Sequence, residues 1–536
     1  MNARTSTTHG IGWLLGWCFL ALALGGCAQP AEIDQAVEQT ENSAAADPDS
    51  ESHDGTDMLA LAGIDEPRGI RINAAGVLPG YVLFTPLISD TTYLIDRAGQ
   101  VVHTWQTDFA PSSEYLLDDG HLLRGARVPA APRFNAGGQG GRIEKIAWDG
   151  QIVWSFDMAD ESGLLHHDFA PLPNGNILSI AWENKTPEEA AAAGRNADKT
   201  PAAGIWPDLI VEIEPSMPTG GKIVWEWHSW DHMVQNQDPA LPNHGDPAAR
   251  PEKIDINAGP PLEPVTIEQL AEAKVRGQVP PNATVEDRGS DIHHSNAINY
   301  NAELDQIALS VRSFSEIWII DHALSTQEAA GSAGDLLYRW GNPETYGRAD
   351  DSFHGLGHQH DIRWIAQGSP GAGNLLAFSN DAGNAVPPYS EVVEFRPPMD
   401  ANGRYALEAG RPFGPTAPVW TYADNGFYSP FISGARRLAN GNTLVTFGPQ
   451  GRFVEVNTDG EILWEYWSPY SGEVRLADGS LPQPGRPFMY AAFRATFIPA
   501  DHPALAGRDL APLDPQPAPS VLREEELAAF RTEGTQ

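Results

Sequence analysis

The sequence predicts an all-β protein, a six-bladed β-propeller of four-stranded antiparallel blades, on three observations. A five-residue strand pattern ending in an aromatic recurs six times: "VVHTW" ending at Trp105, "IVWSF" at Phe156, "IVWEW" at Trp227, "LLYRW" at Trp340, "PVWTY" at Tyr422 and "ILWEY" at Tyr466. Ahead of these stand strand-forming segments such as "LIVEIE", "EIWIID" and "RFVEV", and ahead of those hairpins with tight turns, as in "YLLDDGHLLRGA" and "FAPLPNGNILSIAW". The composition agrees, because Gly 52, Pro 45 and Trp 16 with few amphipathic helical stretches describe short strands joined by turns.

Each unit holds about four strands, and a radial array of six such sheets buries the recurring aromatics between blades. The first unit starts at Gly80 to Pro86, which aligns with the second strand of the other units. Ala491 to Pro499 follows the last unit and is expected to supply the missing strand, closing the ring and removing an exposed edge. The propeller is assigned to 67–505, with insertions at about 184–205 and 235–289 that read as lids or rims; a helix is expected in "PVTIEQLAEAKVRG" of the second.

Residues 1–26 have the layout of a signal peptide, and Leu24-Gly25-Gly26-Cys27 resembles a lipoprotein processing site with Cys27 lipidated. Residues 27–66 are acidic and poor in aromatics, which reads as a disordered tether, and 506–536 form a C-terminal tail. These features lead us to expect an extracytoplasmic, periplasmic protein anchored through Cys27, with Ala28 resembling the pattern sorted to the outer membrane. Cys18, the other cysteine, falls inside the expected signal, so no disulfide, cysteine nucleophile or thiolate metal site is expected in the mature chain. The net charge of −37 argues against nucleic acid and against adsorption on an anionic bilayer, and requires a local positive site for any anionic substrate. The oligomeric state stays open.

The histidines gain meaning from the repeat. Seven residues before the Asn174-Gly175-Asn176 turn stands His167, and the same offset gives Ser112 and Ser433 in blades 2 and 6. The alignment places His294 at this position in blade 4 and His360 in blade 5, so three consecutive blades are expected to aim a histidine into the channel. Asn296 shares the side-chain direction of His294, and the returning strand of the hairpin brings Arg312 to the same end. A structural Arg312 paired with Glu316 or Asp291 is the plainer alternative. Three histidines can hold a divalent metal, but an adjacent guanidinium fits better with a cradle for a tetrahedral oxyanion. No P-loop, strand-linked G-x-G-x-x-G or G-x-S-x-G elbow is present, and no cofactor is expected. The Gly-rich "NAGGQGGR", 135–142, reads as a flexible inter-strand loop.

At "DIHHSNAINYNAELDQIALSVRSFSEIWIID", supported by "HQHDIRW" and "HHDFAPLPNGNIL", the chain resembles the bacterial arylsulfate sulfotransferases that work without a nucleotide sulfate donor. The resemblance implies a six-bladed propeller and a ping-pong transfer from an aryl sulfate ester to a phenolic acceptor. It implies His360 as the sulfurylated nucleophile, His167 and His294 as its partners, and Asn296 and Arg312 as ligands of the sulfuryl oxygens. His358 is grouped with His294, Arg312 and Asn296 as substrate-binding; His354, His358 and His360 share one loop, and the blade alignment favours His360 as nucleophile. The competing readings are a metal-dependent propeller hydrolase, lactonase or lyase using His167, His294 and His360, and a lipid-anchored binding propeller without catalysis.

Overall fold

The structure is a computed structural model that describes residues 61–128, 133–276, 279, 282–350, 352–382, 387–400, 403–424, 427–472 and 488–520. The expected signal peptide, Cys27, most of the tether and the end of the tail lie outside these residues.

Among the described residues, six antiparallel sheets form the ring. Blade 1 is Gly80–Pro86, Thr91–Asp96 and Val101–Gln106, with Ala492–Pro499 as its inner strand, so the chain closes as the sequence predicts. The inner strands of blades 2 to 6 are Pro111–Leu116, Gly163–Pro171, Ser295–Asn301, His360–Trp364 and Gly434–Arg437. Blade 6 departs from four strands. Gly69–Asn73 pairs antiparallel with Ile462–Trp467 as a fifth, outer strand, and just before it Ala62 and Ile64 are buried against Phe488, Ala491 and Phe493. The folded body therefore starts earlier than the acidic composition suggests.

The aromatic repeat does more than fill the core. Its fifth positions Trp105, Phe156, Trp227, Trp340, Tyr422 and Tyr466 are all buried. Its third positions each donate a hydrogen bond to a backbone carbonyl of the following blade. His103 Nε2 reaches Trp148 O at 2.9 Å, Trp154 Nε1 reaches Gly220 O at 2.9 Å, and Trp225 Nε1 reaches Leu324 O at 2.8 Å. Tyr338 OH reaches Gly414 O at 2.7 Å, Trp420 Nε1 reaches Thr458 O at 3.1 Å, and Trp464 Nε1 reaches Arg97 O at 2.9 Å. Each bond contributes about 1 kcal/mol net, modest beside the buried ring area, but it fixes the rotation of one blade on the next.

At the axis the blades meet in a buried ionic hub. Asp168 of blade 3 accepts from Tyr115 of blade 2 at 2.8 Å and pairs with Arg363 of blade 5 at 3.2 Å and Arg494 of blade 1 at 2.8 Å. Asp361 of blade 5 pairs with Arg363 at 2.8 Å, Arg494 at 3.2 Å and Arg436 of blade 6 at 3.9 Å. Blade 4 joins through its backbone: Arg363 donates to Ile298 O, Arg494 donates to Asn296 O, and Ile298 N donates to Asp168. Burial alone would raise the Asp361 carboxyl, but Arg363, Arg494 and Arg436 hold it down at about 2.

Removing one partner from a buried ion cluster strands the others without solvent. Asp168→Asn is therefore expected to destabilise the fold by about 3–5 kcal/mol, read as a fall in the urea midpoint at unchanged m-value. A loss below about 1 kcal/mol, the range of an exposed pair, would remove the hub from its structural role.

Candidate active site

Strand register decides which side chains share a level. Pro171 faces Ile177, Tyr300 faces Ile307 and Trp364 faces Leu375, and these three second-strand residues all pack toward the preceding blade. Four residues before the first-strand partners stand His167, Asn296 and His360. Counted the same way from Leu116↔Leu122 and Arg437↔Thr443, blades 2 and 6 present Ser112 and Ser433. His294, expected at this level, instead stands two residues earlier, level with His358. The difference arises in the hairpins, which place five, six and ten residues between those paired positions and so mislead an alignment made on turns.

The two levels are held differently. His294 and His358 have left-handed backbone, φ 51° and 47°, as His167 does at 51°, but of these three they alone present Nδ1 to a carboxylate, Asp291 and Asp381 respectively, each at 2.6 Å. His360 presents Nδ1 to a neutral amide, Asn380 Oδ1, at 2.7 Å. Asn380 Nδ2 donates to both Ser429 O and Ile432 O, so its oxygen must be the atom facing His360. A carbonyl oxygen only accepts; His360 therefore carries its proton on Nδ1 and bares the Nε2 lone pair. His354 pairs through Nε2 with Glu391 at 2.9 Å and is raised chiefly by that contact, away from this group.

His167 and His294 lie with ring centroids 4.5 Å apart in edge-to-face contact, and Phe493 of the closing strand stands 6.2 Å from His167 and 6.4 Å from His360. Burial pushes the His360 imidazole well below the usual histidine range, and Arg312, His294 and Arg494 push the same way against the Asn380 hydrogen bond. Burial likewise lowers His167, reinforced by His294, His166, His360 and Arg494. Both rings are neutral around pH 7.

Arg312 begins the tight turn Arg312–Phe314, and its backbone N–H donates to His294 O at 3.4 Å. Its sequence-level alternatives are occupied. Glu316 accepts from Arg339, Thr345 and Trp318, and Asp291 accepts from His294 and Trp182. Among the described residues the Arg312 guanidinium has no hydrogen-bond partner, although the residue is only 8% exposed. Asn296 is fully buried and spends one amide hydrogen on Gln359 O at 2.8 Å, bracing the backbone next to His360 and leaving one hydrogen for another acceptor.

A small cleft of about 40 Å³ opens onto His294 and Arg312. Its walls come from the second insertion, with Val279, Asp287, Arg288 and Gly289, and from Asn135 and Ala136. The segments lock together, because Asn135 accepts from Asn282 and donates to Asp287, while Ala203 of the first insertion donates to Glu286 O. The Gly-rich loop, read as flexible, is packed structure: Gly138 O accepts from His167 N at 2.8 Å, and Gln139 bridges to His166. Gly138 has φ +82°, and a Cβ there would stand 2.0 Å from His167 Cε1 and Nε2. No sequence motif marks that position; it becomes visible only from the His167 contact. Among the described residues, no group of three or more His, Cys, Asp or Glu is arranged to hold a metal ion, so the three-histidine metal reading gains no geometric support.

Two outcomes follow from this packing. Gly138→Ala is expected to displace the His167 ring and abolish turnover while leaving the circular dichroism spectrum intact; full activity would show that His167 need not sit where it does. The lowered position of His360 means that its reactive neutral form survives as pH falls past about 6.5, the ordinary histidine value. The rate of the donor half-reaction should stay level through that pH and fall only below it, and an acid limb centred at or above 6.5 would contradict the burial argument.

The arylsulfotransferase (ASST) family profile matches residues 84–466. No curated protein matches the chain. Similar solved structures include a protein of unknown function from Bacteroides caccae, 12% identical over 78% of this chain and 99% of that one with a TM-score of 0.40. A putative 6-phosphogluconolactonase from Bacteroides fragilis is 9% identical over 79% and 99%, TM-score 0.33. A catalytically inactive virginiamycin B lyase from Staphylococcus aureus is 10% identical over 74% and 87%, TM-score 0.28. The profile match runs from the second strand of blade 1 to the fourth strand of blade 6 and so spans every blade and the whole histidine group; the chain belongs to the arylsulfotransferase family.

Proposed function

We propose that the protein transfers a sulfuryl group from an aryl sulfate ester to a phenolic acceptor through a sulfurylated His360. The observation that carries this reading is the Asn380 contact, which leaves a neutral His360 with its Nε2 lone pair free. A carboxylate on the same nitrogen of His360 would favour its imidazolium and weaken the nucleophile.

In the first step the Nε2 lone pair attacks sulfur, an N–S bond forms, and the S–O(aryl) bond breaks with its electron pair leaving on the phenolic oxygen. That oxygen takes a proton from His167 Nε2. In the second step an acceptor phenol returns a proton to His167, its oxygen attacks sulfur, and the N–S bond pair goes back to His360. Arg312, whose guanidinium makes no hydrogen bond among the described residues, and His294 hold the sulfonate oxygens; a guanidinium fork suits two of them at once. Asn296 acts first by fixing the backbone before His360, with its remaining amide hydrogen available to the sulfonate.

The test is transfer from 4-nitrophenyl sulfate to phenol. The intact protein should show this activity, and mass spectrometry after donor alone should place one sulfuryl group on the peptide carrying His360. His360→Asn should lose both, whereas transfer surviving in that variant would overturn the nucleophile assignment.

A further inference from the structure

His167 presents a difficulty that the geometry resolves. The proposed transfer needs it to give a proton in one step and accept one in the next, yet burial, His294, His166, His360 and Arg494 all oppose a positive charge on its ring, so that His166 and His167 cannot both be charged. A base that cannot be charged is a poor proton carrier.

Against the Nδ1 edge of His167 stands a second ring. His166 Nδ1 lies 2.8 Å from His167 Nδ1, and two nitrogens that close must share one proton. The far nitrogen, His166 Nε2, lies 3.3 Å from Asp208 Oδ1, an ion-pair distance at which the two atoms make no hydrogen bond and Asp208 acts on the ring through its charge. Asp208 is fully buried on blade 3; burial works to raise its carboxyl, but His166, His293 and Ser295 together hold it below the usual range. Trp182 stacks on the His166 ring at 4.0 Å and 10°, presenting an aromatic face to any charge there. The other groups around the pair are His293, which accepts from Asp208 N, and Asp291, which accepts from Trp182 Nε1.

We propose that Asp208 and His166 form a proton relay that lets His167 act as acid and base while the positive charge rests one ring away. The inference rests on the sulfuryl-transfer reading above. In the base form each ring carries one proton, on His166 Nε2 and His167 Nδ1, and His167 Nε2 is bare. When acceptor phenol protonates His167 Nε2, the shared proton moves from His167 Nδ1 to His166 Nδ1. His167 remains neutral, and the charge sits on His166 between Asp208 and Trp182. When His167 Nε2 gives its proton to the departing phenolate, the shared proton moves back. One proton enters and one leaves per cycle, and nothing else is consumed. His166 and Asp208 touch no substrate in this scheme; they are positioning residues that act through His167.

A relay matters most when the leaving group is a poor one. Phenol, with a pKa of about 10 like a tyrosine side chain, must be protonated as it departs, whereas 4-nitrophenol leaves readily as the anion. Asp208→Asn keeps an oxygen for the Ser295 N–H that Asp208 now accepts, and His166→Gln serves as a second variant, each checked for folding by thermal melting. Both should slow the release of phenol from phenyl sulfate in the acceptor-free donor half-reaction by about 10²-fold, while the burst of 4-nitrophenol from 4-nitrophenyl sulfate stays stoichiometric and within about 3-fold in rate. Equal losses on both donors in folded variants would mean that the pair merely props the His167 ring, and the relay would be wrong. Absence of any burst in the unaltered protein would instead sink the sulfuryl-transfer reading itself, and the relay with it.

Discussion

The whole arrangement hangs on the charged hub at the propeller axis. A blade packs only against its two neighbours, so interblade contacts alone set each step of the ring without fixing what happens at the centre. The pairing of Asp168 and Asp361 with Arg363, Arg494 and Arg436 crosses the axis and involves side chains or backbone from all six blades. Its worth in stability is set against the desolvation of five ions, and a well-packed apolar plug would hold the ring as well. What an apolar plug would lack is direction. The hub hydrogen-bonds Asn296 O and Ile298 O and N, and so pins the inner strand of blade 4 against those of blades 3 and 5, from which the site is built.

The hub also supplies a field. Three guanidiniums face two carboxylates there, and the Glu114 carboxyl, on which Arg494 and Arg436 also act, is raised by burial to about 7 and so is only partly ionised at neutral pH. Arg494 and Arg312 thus act on His360 with the same sign from within the protein. In a chain of net charge −37 this local excess is what an anionic ester needs. Burial is the chief cause that keeps His360 neutral and nucleophilic, and Arg312 and Arg494 add to it, so that the same guanidiniums serve both capture of the anion and attack on it.

Much of the fold was legible because it is repeated. Six aromatic strand endings and a spare strand after the last unit were sufficient to find the ring and its closure. The fifth strand of blade 6 was not, since Gly69–Asn73 belongs to no repeat and follows a low-complexity stretch. In the site, the gathering of His167, His294, His360 and Arg312 followed from hairpin counting, but the level of His294 did not: turn length varies between blades, while register is set by pairing across the strands. The roles of Asp381 and Asn380 as Nδ1 partners come from a segment that no histidine motif marks, and the Gly138 loop reaches His167 from a different blade. Such contacts are set by tertiary packing and leave no local pattern to read.

One short pattern does carry both layers of the centre. In a regular strand consecutive side chains point to opposite faces, so His167 and Asp168, or His360 and Asp361, could not both turn toward the axis. The inner strands are bulged at this level, with register shifts opposite Ser179/Ala181 and between His360/Arg363, and with left-handed backbone at His167 (φ 51°) and Asp361 (φ 56°). Such conformations in residues other than glycine cost about 1–3 kcal/mol each and persist where surrounding contacts over-determine them. Here the contacts are the hub on one side and the ring partners on the other. The dipeptide His-Asp therefore splits its duties, the histidine to the site and the aspartate to the floor beneath it. Blade 4 has Asn296-Ala297 at the same level. An alanine cannot reach the hub, and Arg494 takes the Asn296 carbonyl instead. The strain that aims the two histidines is thus held in place by the same ions that lie beneath them.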